Sequence, residues 1–253
     1  MRAAASPLLA LAMLGMAGAA SAERPSGAPA DWPSPIADSR PYWMLLVDQL
    51  EFRLSDEDDV LAWDLQGRIG GDVNRFVVRS EGDQRTQGPS GGEAEVQLLY
   101  SRAILPFWDV QLGVRQDASY GGGPDQERTF AVLGLEGLAP QWFDVEPAFY
   151  LSDDGDASFR LEATYELLLT QRLIAQPRFE LDAAFSDVPK FEIRRGFTDL
   201  VLGLRLRYEL RRELAPYVGV NWSRRLGTTA DLARDDGAPV NDVSLLLGMR
   251  LWF

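Results

Sequence analysis

The side chains in this chain that could do chemistry are acids and arginines placed at every second position. Glu51 and Arg53 alternate with Leu50, Phe52 and Leu54; Asp64 and Arg68 alternate with Trp63, Leu65 and Ile69; Glu95 alternates with Val96. The same spacing puts Arg115, Glu146, Arg160, Glu162, Asp199, Arg205 and Arg207 on the polar side of further alternating runs. A period of two places each set on one face of a strand and its apolar partners on the other. Charges gathered this way have two uses. They can pair off and stiffen the interior of a small barrel, or they can line a path for cations, because rings of charge in a pore set its selectivity.

Other chemistries are excluded by composition. The chain has no histidine and no cysteine, which removes disulfides, thiolate and imidazole metal ligation, Ser-His-Asp catalysis and histidine-based pH switching. Outer-membrane phospholipases and proteases lean on histidine, so no catalytic residue is assigned and no enzyme is expected. The formal net charge of −13 argues against nucleic acid or anionic lipid as a partner and favours cations. Lys190 is the single lysine; the remaining basic side chains are arginines, suited to bidentate pairing with carboxylates. The acidic stretches Asp56–Asp59 and Ser152–Asp156 are either solvated loops or oxygen-rich places for hard divalent cations. Neither has the full spacing of a calcium loop.

The elements that must hold these charges follow from the rest of the chain. Arg2, the apolar run Pro7–Ala19 and the small residues Ala20-Ser21-Ala22 read as a secretory signal peptide over residues 1–22. Residues 23–41, with five prolines and no periodicity, read as a flexible periplasmic leader. No later segment approaches the ~20 apolar residues of a membrane helix. A chain that enters lipid with strands must close them, because lipid offers no partner to an unpaired backbone group. Residues 42–253 are therefore expected to form an all-β, transmembrane, antiparallel up-and-down barrel of about twelve strands, with short turns at one end and longer polar loops at the other.

Several local readings test that expectation. The first strand runs from Trp43 to Leu54, and Asp48 falls on its apolar parity, which calls for a bulge or an interfacial position. Phe159–Leu169 is the cleanest alternation in the chain. Gly82–Gly92, Phe185–Gly196 and Gly227–Asn241 read as loops. Charges on about twelve strand faces could not pack a dry core, so they belong to a wet lumen and the apolar set faces lipid. The last strand, Asp242–Phe253, sets Val243, Leu245, Leu247, Met249, Leu251 and Phe253 on one face. A terminal aromatic on such a strand looks like the assembly signal of bacterial outer-membrane barrels. Phe253 is assigned that role, with outer-membrane lipid and the barrel assembly machinery as partners.

Long runs resemble the copper resistance protein B (CopB) family of outer-membrane proteins. They include DQLEFR at Asp48–Arg53, AWDLQGRIGGDVNR at Ala62–Arg75 and LYSRAILPFWDVQLGVRQD at Leu99–Asp117. GLAPQWFDVEPAFY at Gly137–Tyr150 and DLVLGLRLRYELRRELAPYVGVNWSRRLG at Asp199–Gly227 continue the likeness. The resemblance implies a barrel of the cell outer membrane that takes part in copper homeostasis or resistance, with copper ion transported or weakly bound and no tightly held cofactor. A barrel this poor in strong ligands is expected to work with a separate periplasmic copper protein that supplies them. Family members usually carry a leader rich in Met and His, and residues 23–41 contain neither. Met44 and Met249 are the methionines left after the signal, so the soft ligands copper prefers are scarce and no metal ligand is assigned. The alternative is a general porin or structural barrel with no metal role.

Overall fold

In a computed structural model, which describes residues 41–55, 58–87, 91–121 and 126–253, the alternation becomes thirteen strand segments. They are β1 (Tyr42–Leu54), β2 (Val60–Gly70), β3 (Asn74–Arg85), β4 (Gly92–Leu105), β5 (Trp108–Tyr120), β6 (Gln126–Ala139) and β7 (Phe143–Ser152). They continue as β8 (Ala157–Thr164), β9 (Leu167–Leu168), β10 (Leu173–Ala184), β11 (Gly196–Tyr208), β12 (Leu214–Arg225) and β13 (Asn241–Trp252). The signal peptide, the leader up to its last residue Pro41, and Asp56 and Glu57 lie outside the described residues.

Pairing is antiparallel throughout, and β13 pairs back onto β1, so the sheet closes. Closure is sealed beside the C-terminus, where the Leu45 and Phe253 backbones exchange hydrogen bonds of 3.1 and 2.9 Å. Because β8 and β9 lie on the same edge of β10, the barrel has twelve strands.

That interruption corrects the reading of Phe159–Leu169 as the cleanest strand. Both pieces keep one register against β10, with Arg178 opposite Thr164 and Ala175 opposite Leu167. The residue facing the gap is Pro177, whose carbonyl accepts from Tyr165 N–H at 3.2 Å. Proline has no N–H to return, so the ladder loses a bond there and the strand opens at Tyr165 and Glu166.

In β1 the register shifts between Val47 and Leu50. The bulge at Asp48 resets the parity, so Trp43 and Leu45 before it and Leu50, Phe52 and Leu54 after it all face outward. Gly82–Gly92 is shorter as a loop than its composition suggests: Gly82, Asp83 and Gln84 pair with Ala94, Glu93 and Gly92. Once strands leave the bilayer their side chains need not alternate, although the ladder continues. Gly227–Asn241, a loop by its composition, holds a helix, α1 (Gly227–Asp235). Its buried residues are Thr229, Ala230 and Ala233, and Thr229 Oγ1 accepts from Arg194 N–H at 3.1 Å. The stripe is too short to register as an amphipathic period.

Connections at the turn end, which holds the start of β1 and the end of β13, run two to five residues, and those at the other, the loop end, run four to fifteen. The wall between carries exposed Leu98, Leu112, Leu133, Phe149, Leu204, Val218, Leu245 and Leu247. Aromatics cluster at the turn end: Trp43, Phe107, Trp142 and Phe253 are all more than half exposed, as interfacial anchors are. Phe107 and Trp142 hold φ of 69° and 70°, turn positions where glycine is usual. The inside is less uniformly polar than expected, since Val77, Leu99, Phe130, Val132 and Tyr150 form a buried cluster on its inner face.

Candidate functional site: a charged lumen in two cavities

The bulge in β1 is what brings Gln49 and Glu51 inward. Glu51 has no exposed surface. Arg205 on β11 reaches it through Nε at 3.0 Å and Nη2 at 2.9 Å, and also reaches Gln49 at 2.7 Å. Tyr217 on β12 donates to Glu51 at 2.8 Å, and Arg53 donates at 2.8 Å. Space for this cluster comes from Gly248 on β13, where a Cβ would stand 2.7 Å from both Tyr217 Oη and Glu51 Cβ. Glycine is required there because the tyrosine and the acid already occupy the room. Side chains of three strands, β1, β11 and β12, are tied together beside the seam, over room that β13 leaves.

Elsewhere the inward charges face open volume. A cavity of about 740 Å³ opens toward the turn end and one of about 660 Å³ toward the loop end. Carboxylates outnumber arginines nine to five around the first and nine to four around the second, so both attract cations. A smaller cavity of about 320 Å³ lies beside Arg53, Asp58 and Arg205. Met44 lines the turn-end cavity, whereas Met249 is exposed on the outer wall.

All but one of the residues expected inside fall into three groups. Glu51, Arg53 and Arg205 belong to the sealed cluster. Asp64, Glu95, Arg115, Arg160 and Glu162 meet across or beside the middle of the lumen: Arg115 bonds Glu95 at 2.7 Å and Asp117 at 2.6 Å, and Arg160 stands 3.4 Å from Glu95. Arg68, Glu146 and Arg207 lie toward the turn end. Arg68 pairs with Glu136, and Glu146 with Arg79. Arg207 holds Glu166 at 2.7 Å. Asp199 lines the loop-end cavity apart from these pairs.

Several central residues were not among those expected. Arg178 and Glu180 on β10, Arg79 and Glu81 on β3, and Glu136 on β6 each face two or more opposite charges. The signal was present for Arg178, Glu180 and Asp182, which alternate with Phe179, Leu181 and Ala183. Glu166 stands in the strand gap opposite Pro177's neighbour Gln176, and from there it also reaches Arg250 at 3.1 Å. Among the described residues no group of three or more carboxylates is arranged to hold a metal ion.

Residues 41–253, the whole barrel with its acidic lumen, match the family described as copper resistance protein B precursor (CopB). The chain belongs to the copper resistance protein B family. The Escherichia coli copper resistance protein B is 43% identical over 218 residues, spanning 86% of this chain and 72% of that protein. The copper resistance protein B homolog of Pseudomonas syringae pv. tomato is 44% identical over the same shares. Among solved structures, the NanC porin superposes with a TM-score of 0.54 at 11% identity, covering 83% of this chain and 99% of that one. The KdgM porin gives 0.51 at 11% identity, with 83% and 98% covered. These porins share the fold. Family and fold together make this a copper-resistance barrel of the outer membrane, and the resemblance carried by the long motif runs holds over the full barrel.

Proposed function

We propose that this copper resistance protein B barrel passes or loosely collects copper ions along its lumen without a tight copper site of its own. The observation that carries the reading is the excess of carboxylates over arginines in both cavities. Carboxylates concentrate divalent cations but bind copper weakly beside imidazole or thiolate. Many of these acids are already held by guanidiniums, which an arriving ion must compete away. Met44 offers one soft donor at the turn end, too few for a copper site alone. Such a barrel holds no resident cofactor, does no catalysis, and works with a separate periplasmic copper protein that supplies the strong ligands.

The test is a deletion strain assayed for copper sensitivity and cell-associated copper, with the chain supplied back. Deletion should change both, and the restored chain should reverse both. Unchanged tolerance and content would remove the reading and leave a general or purely structural barrel.

A further inference from the structure

The lumen is crossed by side chains as well as lined by them. Arg160 on β8 and Arg178 on β10 project from one wall toward β2, β3 and β4 on the other, and β3 and β10 lie on opposite sides of the closed ring. On its own side Arg160 holds Asp182 at 3.0 Å and Glu180 at 3.5 Å; across the lumen it reaches Glu95 at 3.4 Å and Glu81 at 3.6 Å. Arg178 behaves alike, with Glu162 at 2.8 Å and Glu180 at 3.2 Å beside it, and Glu81 at 3.8 Å and Asp64 at 4.0 Å opposite. Both arginines are largely buried, and Glu81, Glu95, Tyr150 and Arg160 form part of the wall of both large cavities. This layer is where the cavities meet.

We propose that Arg160 and Arg178 form a bar across the lumen, the barrier and charge filter between the two acidic cavities. The proposal rests on the conduit reading above and names its controlling residues. One short bond anchors each guanidinium to its own wall, Arg160 to Asp182 at 3.0 Å and Arg178 to Glu162 at 2.8 Å, while every contact that spans the gap is 3.4 Å or longer and can yield without unseating it. A cation drawn into either cavity then meets two fixed positive charges before it can cross. Neutralising one of them frees cross-section and leaves Glu81 and its neighbours less opposed, so both conductance and cation preference rise.

The full chain, purified and reconstituted in planar bilayers under a potassium chloride gradient, gives single-channel conductance and reversal potential. Arg160→Gln and Arg178→Gln should each raise conductance about twofold or more and move the reversal potential toward the cation limit, the double variant furthest. Arg234→Gln, which removes the same charge from the exposed face of α1, should match the wild type. Folding is read from the gel shift between boiled and unboiled samples; if the double variant fails to fold, the single variants decide by the same readout. Folded variants no more conductive or cation-selective than the wild type overturn the bar, and a cation-selective wild type would then leave the conduit reading intact. Current in the variants but none in the wild type upholds the bar as a plug and counts against passage in the native barrel. No current in any of them overturns the bar and the conduit together.

Discussion

Glu51 and Glu81 are both acids on inward strand faces, yet they occupy opposite surroundings. Glu51 is fully buried and accepts from Arg205, Arg53 and Tyr217 at 2.8 to 3.0 Å. Glu81 is 36% exposed, and its arginines stand 3.6 and 3.8 Å away. A carboxylate surrounded by short donors has nothing left for a passing ion, and its work is to hold strands together. One that faces open volume with long contacts can exchange its partners. Residue types alone allow either a stiffening network or a cation path; the ring puts closely bonded acids and loosely held ones in different places in one lumen.

The strongest way to break this contrast is to remove an arginine from each region. Arg205→Ala leaves Glu51 buried without its bidentate partner and should cost about 3–5 kcal/mol, the range for breaking a buried pair. Arg178→Gln, at a position itself buried but set among acids that face open volume, should cost less, about 1–3 kcal/mol. Denaturant unfolding in lipid vesicles measures both, and equal losses would erase the distinction. The next effect separates the outer wall from the lumen. Leu204 is exposed mid-strand between Leu202 and Leu206, so Leu204→Arg should cost about 2–4 kcal/mol. Thr164→Arg, which enters the turn-end cavity, should cost much less by the same measurement. The smallest effect sharpens the account of the sealed cluster. Gly248→Ala forces a methyl against Tyr217 and should cost about 1–3 kcal/mol, whereas Gly134→Ala, with nothing nearer than 3.7 Å, should be tolerated.

The wall was legible because lipid and lumen impose a period of two directly on the residues. Even the β1 bulge showed as Asp48 on the wrong parity. The gap at Tyr165 was hidden for a different reason: its cause, Pro177, lies on the next strand, and pairing register is needed to see what it faces. Helix α1 has too few turns to announce itself against the polar loop around it. The charges picked from the polar faces do lie on inward strand faces, but central ones such as Arg79, Glu81, Glu136, Arg178 and Glu180 are not among them, and which of the lumen charges meet is set by closure. Arg205 and Glu51 are 154 residues apart in sequence, and Arg160 reaches Glu81 from the far wall. Alternation assigns a face, and the ring assigns the partner.

The central claim, that copper is handled by replaceable carboxylates, is tested most directly by metal analysis of the purified, detergent-solubilised barrel. Loaded with copper and dialysed against a mild chelator, it should retain well under one ion per chain, because oxygen donors already shared with arginine release the metal. One copper ion per chain surviving that dialysis would contradict the account and require a tight site within the barrel.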